Sequence, residues 1–227
     1  GAGNQNQGTI AGRLTGIPEY LWVLIAMASR FNLLVFDWDG TLSDSESGII
    51  AAMQLAIQEL GLTERHDVEI CEIIGLGLEE AIDILYPEIE VGQRHDLARL
   101  YRLYYPMVTA GSTPLFPGTQ ATIESLYNAG YLLAVATGKS RRGLDRSLRE
   151  NNLGHYFHAS RCADEAFSKP HPQMLRDLMH MLDVSPERTL MIGDSEYDLQ
   201  MAMNAEVASL AVSYGVHPPG RLLEFRP

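Results

Sequence analysis

Cysteine is nearly missing from this chain. Its 227 residues include two, Cys71 and Cys162, far apart and without the spacing of a metal-binding pair. That excludes a disulfide framework and a cysteine-held metal, and it fits reduced thiols in a cytoplasmic protein. Basic charge is scarce as well: 17 Lys and Arg stand against 29 Asp and Glu, a net charge of −12. Such a balance argues against nucleic acid as a partner, because phosphate backbones select basic surfaces. It does not exclude a small anionic substrate, since local cations or a metal override the global sign. No apolar run reaches the roughly 20 residues that cross a bilayer. The strongest run, residues 17–28 (IPEYLWVLIAMA), is shorter and lacks the flanks of a signal peptide. The histidines are scattered and form no metal set. Internal repeats are absent, and the one biased tract is the polar, glycine-rich leader over residues 1–8.

What is present is an ordinary globular composition, 46% hydrophobic and 20% charged, enough for one domain or a domain carrying a smaller inserted one. Residues 1–30 read as an amino-terminal extension, either an added leader or sequence upstream of a natural start at Met27. The rest is organised around residues 31–41, FNLLVFDWDGT. The run 33–36 has no polar alternation and reads as a strand buried on both faces, as in a parallel sheet. It ends in Asp37 and Asp39, two apart and so projecting the same way from an extended chain. Crowded carboxylates at the end of a buried strand call for a cation. Gly40 supplies the bend that follows.

Residues 44–113 read as purely helical: a helix over 49–60 capped by Ser45 or Ser47 and stopped by Gly61, then helices over 68–74, 78–85 and 91–107. Pro114 and Pro117-Gly118 mark the return to alternating structure. Strands are predicted over 131–136, 157–160, 189–192 and 207–212, with helices over 119–129, 141–151, 170–182 and 196–204. The alternation predicts an α/β fold, a doubly wound, Rossmann-like parallel sheet with an inserted all-helical cap. The core is then 31–43 with 114–227, and the cap is 44–113.

Three of these strands end in polar clusters: Asp37-Trp38-Asp39, Thr137-Gly138-Lys139 and Gly193-Asp194-Ser195. A parallel sheet puts them along one edge, where ligands bind. The Ser168-Lys169-Pro170 turn opens a helix on that edge. Carboxylates, a hydroxyl and an ammonium there suit phosphoryl transfer. One carboxylate attacks phosphorus, a second moves protons, and hydroxyl, backbone N–H and ammonium groups hold the phosphate oxygens. Hard oxygen ligands, few in number, suit Mg²⁺.

In these motifs and their order the chain resembles the haloacid dehalogenase superfamily, in its phosphoglycolate phosphatase-like branch with a helical cap. The resemblance covers residues 31–215. It implies Asp37 as nucleophile and metal ligand, and Asp39 as general acid/base whose backbone carbonyl also ligates the metal. Thr137 and Gly138 hold the phosphoryl group, with Gly40 and Thr41 beside them, and Lys169 neutralises the nucleophile–phosphate pair. Asp194 is the remaining Mg²⁺ ligand, and Ser195 and Asp198 stand behind it, Asp198 orienting metal-bound water or Lys169. The acid at Asp39 favours phosphate esters over carbon–halogen or carbon–phosphorus bonds. The implied enzyme is a Mg²⁺-dependent phosphatase of a small phosphorylated metabolite, 2-phosphoglycolate or a sugar phosphate, working through an aspartyl-phosphate as a monomer or homodimer. A sugar-phosphate mutase on the same scaffold and a receiver-like signalling module are the alternatives.

Other residues carry two readings each. The Gly75-Leu76-Gly77 turn either dips into the site against a small substrate or merely joins two helices. Lys139, Arg141 and Arg142 either attract an anionic substrate tail or are solvated. Trp38 is read as packing, and His171 as a capping or packing residue.

Overall fold

The computed structural model describes residues 30–109 and 113–227. The apolar stretch 17–28 and the start at Met27 lie outside the described residues. Strands β1 (Leu33–Phe36), β2 (Leu132–Thr137), β3 (Ala159–Cys162), β4 (Thr189–Gly193) and β5 (Ala208–Ala211) form one parallel sheet in the order β3-β2-β1-β4-β5. β1 is central: Leu33 pairs with Leu132 on one side and Thr189 on the other. Alternation along β1 sends Leu34 and Phe36 into one hydrophobic cluster and Leu33 and Val35 into a second on the opposite face. Burial on both faces explains the unbroken apolar run.

Between β1 and β2 lie α1 (Glu46–Leu60), α2 (Asp67–Cys71), α3 (Leu78–Leu85), α4 (Val91–Val108) and α5 (Thr119–Asn128). The first four enclose their own cluster, with Met53, Ile57, Ile70, Ile82 and Leu97 at its centre. Gly61 ends α1 at φ 62°, a left-handed position that glycine adopts without cost. Then come α6 (Arg141–Glu150), α7 (Gln173–Leu182), α8 (Glu196–Asn204) and a short α9 (Pro219–Leu223) that the sequence pattern does not announce. Among the described residues no helix is long and apolar enough to cross a membrane.

Several boundaries shift by one to three residues, α2 for instance ending at Cys71 rather than 74, and two of the shifts have a visible cause. β3 begins at Ala159 rather than 157, because the His158 ring intrudes: its Nδ1 accepts the Leu133 N–H where a strand carbonyl would. Helix α7 begins at Gln173 rather than 170. Pro170 and Pro172 have no N–H, and His171 instead donates its N–H to the Ser168 carbonyl in a turn. The Lys169–Pro170 peptide of that turn is cis.

Candidate active site

β1 delivers Asp37, only 1% exposed, to the carboxyl edge of the sheet. Asp37 Oδ1 accepts the Trp38 N–H at 2.6 Å and lies 2.8 Å from Lys169 Nζ. Asp37 Oδ2 is buried and has no hydrogen-bond partner among the described residues. Trp38 points away into the core, edge-on to Phe157, as a packing residue. The chain then turns tightly, the Leu42 and Ser43 N–H groups both donating to the Trp38 carbonyl. Gly40 makes that turn at φ +81°, and a Cβ on it would strike the Asp194 carboxylate, 2.7 Å from Cγ. Position and conformation both require glycine there. Thr41 donates its hydroxyl to Asp194 Oδ1 at 2.7 Å.

Asp194, at the end of β4, is fully buried. Its Oδ2 accepts the Val216 N–H at 2.9 Å. Ser195 caps α8 in a capping box with Asp198. Asp198 has both oxygens engaged: Oδ1 takes Lys169 Nζ at 2.6 Å, and Oδ2 takes the Ser195 N–H at 3.1 Å and hydroxyl at 2.7 Å. Thr137 is buried at the end of β2, its hydroxyl accepting the Lys139 N–H at 3.2 Å.

Oxygen atoms of Asp37, Asp194 and Asp198 lie within 4.8 Å of one another. Three buried carboxylates face one ammonium, Lys169, which leaves negative charge uncompensated. Burial drives the Asp37 carboxyl well above its ordinary range; Lys169 opposes this, and Asp198 and Asp194 reinforce it. Burial and Asp198 push Asp194 up to about 7. Burial works against the charge on Lys169, but Asp198 and Asp37 outweigh it and hold the ammonium above its usual range. A hard divalent cation fits this set. Asp37 Oδ2 has no partner among the described residues, the site has surplus negative charge, and the donors are all oxygen. Asp198 fits less well as a direct ligand because Lys169 and Ser195 already occupy its oxygens.

Asp39 stands apart from that cluster. Its carboxylate takes Lys139 Nζ at 2.7 and 2.9 Å and the Ser45 hydroxyl at 2.7 Å. Ser45 precedes α1, but its side chain makes no cap bond, so the capping expected of it is not what it does. The sequence offers Lys139 only as a solvated cation or an anchor for an anionic tail and does not announce its place on Asp39. No local pattern signals it, since Lys139 lies in the bend past the end of β2 and its partner is 100 residues away.

The helical insertion reaches the same edge. The Gly75 and Leu76 carbonyls sit over Gly138, so close that a Cβ there would lie 2.7 Å from the Gly75 oxygen. Gly77 donates its N–H to the Ser168 hydroxyl at 2.8 Å. The Gly75-Leu76-Gly77 turn therefore lies against the site and is more than a connection. Arg141 is tied to Glu165, Asp145 and Ser160 beside β3. His171 accepts the Gln173 N–H and packs on Phe167. Neither faces the acids.

Fold and site together define a capped, doubly wound α/β protein of the hydrolase class with a buried acidic cluster at the carboxyl edge of its parallel sheet. Residues 34–212 match the family model of the haloacid dehalogenase-like hydrolases, and the chain belongs to that family. A relative named "Probable phosphatase IndB", from Dickeya dadantii (strain 3937), is 34% identical over 199 residues, covering 86% of each chain. The phosphoglycolate phosphatase of Vibrio vulnificus (strain YJ016) is 28% identical over 195 residues, covering 82% of this chain and 85% of that one. Among solved structures, a haloacid dehalogenase-like family hydrolase from Streptococcus pneumoniae superimposes with a TM-score of 0.75 at 25% identity, over 87% of this chain and 91% of that one. The chain is an enzyme of the phosphoric monoester hydrolase class, as its motifs imply. Family membership and the inserted helices set aside the receiver-module alternative.

Proposed function

We propose that the chain hydrolyses a small phosphate monoester in two steps through an aspartyl-phosphate on Asp37, with Mg²⁺ as cofactor. The observation that carries this reading is the buried Asp37 carboxylate, whose Oδ2 has no hydrogen-bond partner among the described residues while Lys169 sits on Oδ1. Asp37 and Asp194 side chains, with the Asp39 carbonyl, would hold the cation. When bound, it supplies positive charge that offsets repulsion between the attacking carboxylate and the phosphoryl oxygens. Asp37 attacks phosphorus, and the bond from phosphorus to the ester oxygen breaks. Asp39 gives a proton to the departing oxygen, then takes one from the water that attacks phosphorus, as the bond from the Asp37 oxygen to phosphorus breaks, inorganic phosphate leaves and the Asp37 carboxylate is restored. Thr137, the Gly138 N–H and Lys169 hold the phosphoryl oxygens, with Gly40 and Thr41 shaping the turn beside them. Asp198 orients Lys169, and Ser195 orients Asp198.

The helical stretch 44–113 acts as the lid, its Gly75-Gly77 turn leaving room only for a small substrate. 2-Phosphoglycolate and sugar phosphates are the leading candidates, the first in line with the relatives that bear its name. A reducing, cytoplasmic setting fits the free thiols of Cys71 and Cys162. The test is phosphate release from a panel of monoesters by wild type and Asp37→Asn, with and without chelator. Wild type releases phosphate, chelator stops it, Mg²⁺ restores it, and the variant folds but is silent. Turnover by Asp37→Asn would remove Asp37 as nucleophile. Conversion of a sugar phosphate without phosphate release would favour the mutase.

A further inference from the structure

Lys139 belongs neither to the acids that would face the cation nor to the groups that would hold the phosphoryl oxygens. Its ammonium grips both oxygens of Asp39. Both side chains are only 10% exposed, so this is not a loose surface pair. The same Nζ lies 3.3 Å from the Tyr105 hydroxyl and 4.8 Å from the centre of its ring. Tyr105 is on α4, within the helical insertion. It is held there by Tyr101 one turn earlier, with ring centres 5.7 Å apart, and by Thr113, whose Oγ1 is 3.3 Å from its hydroxyl. Asp39 is therefore fixed from two sides: by the strand edge through Lys139, and by the insertion through Ser45 directly and through Tyr105 by way of Lys139.

We propose that Lys139 and Tyr105 are positioning residues that set the Asp39 carboxylate for proton transfer and make that setting depend on the insertion being seated. The proposal rests on the reading of Asp39 as the acid/base. A carboxylate held only by Ser45 could rotate out of line, and misplacement of about 1 Å can cost 10²-fold in rate. Lys139 reaches the substrate only through Asp39, so its loss acts on kcat and spares KM.

The experiment measures kcat and KM for a hydrolysed monoester in wild type, Lys139→Met, Lys139→Arg, Tyr105→Phe and Asp37→Asn, with melting curves for each. In Lys139→Met, kcat falls about 10- to 100-fold with KM nearly unchanged, and Lys139→Arg recovers part of the loss. Tyr105→Phe, which removes one hydroxyl, lowers kcat by about 3- to 10-fold. A purely structural role would not give a kcat-only loss with rescue by arginine. If KM rises in Lys139→Met while kcat holds, Lys139 anchors substrate and the proposal is overturned. Wild-type kcat in Tyr105→Phe overturns the dependence on the insertion. Asp37→Asn separates the levels: a silent Asp37→Asn beside fully active Lys139 and Tyr105 variants refutes the positioning alone, whereas an active Asp37→Asn refutes the mechanism beneath it.

Discussion

A single methyl group at Gly138 should uncouple the helical insertion from the core. Gly138 has a backbone conformation that alanine adopts without strain, so Gly138→Ala acts only through its new Cβ. That atom would lie 2.7 Å from the Gly75 carbonyl oxygen and 2.7 Å from the Leu76 carbonyl carbon, and nearer still to the Leu76 oxygen. The obstacles are backbone atoms, which cannot turn aside as the end of a flexible side chain would. An ordinary carbon–oxygen contact of about 3.4 Å needs the turn to withdraw by about 0.7 Å at Gly75 and by about 1 Å at the nearer Leu76 oxygen. Overpacking of this kind costs about 1–3 kcal/mol, or about 5- to 150-fold against the seated arrangement. The cost exists only while the turn lies on Gly138. Leu76 of the turn belongs to the insertion's own hydrophobic cluster, on which Tyr197 of α8 also packs, whereas the clusters of the core lie apart, so withdrawal relieves the clash at the edge of the insertion and leaves the core closed. The expected result is a fall of about 5- to 150-fold in kcat/KM with a melting temperature close to wild type. The assay is steady-state phosphate release beside a thermal melt. Unchanged kcat/KM in a folded Gly138→Ala protein refutes the reasoning, because the close approach of the turn would then be dispensable.

Two further substitutions test how burial scales the ion pairs. Lys169→Met leaves Asp37 and Asp198, both buried, without their ammonium at 2.8 and 2.6 Å. The expected loss in metal-free buffer is about 3–5 kcal/mol, a drop in Tm of about 6–20 °C. A urea titration reads it, and a loss no larger than that of a surface pair would contradict the burial argument. Arg221→Ala removes ion pairs from α9 to Glu72 and Glu196, all partly exposed. Those are worth about 0–1 kcal/mol each, so the Tm should move by only a few degrees. The bond from the Tyr197 hydroxyl to the Glu72 carbonyl, 2.7 Å, still ties insertion to core. A collapse comparable to Lys169→Met would mean that exposure is a poor guide here.

The parts of this protein that could be read from the sequence are those where one residue type answers a local demand. β1 was legible because burial on both faces forbids polar alternation, and the end of α1 because a left-handed stop favours glycine. The edge holding Asp37, Thr137, Lys169 and Asp194 was legible because parallel strands all end on one side, whatever their loops do. What escaped depends on groups meeting across long sequence separations. Ser45 looked like a helix cap, since a serine before a helix usually is one; the nearby Asp39 carboxylate took its hydroxyl instead. Lys139 looked solvated because lysines mostly are, and nothing local announces a carboxylate 100 residues away. Tyr105 gave no signal at all, as its contact with Lys139 exists only once α4 has folded within the insertion. The two lysines show the consequence. Lys169 and Lys139 each neutralise an aspartate from the same strand end, one at Asp37 and one at Asp39. The acids that would crowd each other in an extended chain are drawn apart by separate partners. Asp37 is fixed wholly within the core, whereas the partners of Asp39 reach into the insertion. On this arrangement attack at phosphorus depends on the core, and proton transfer depends on the lid.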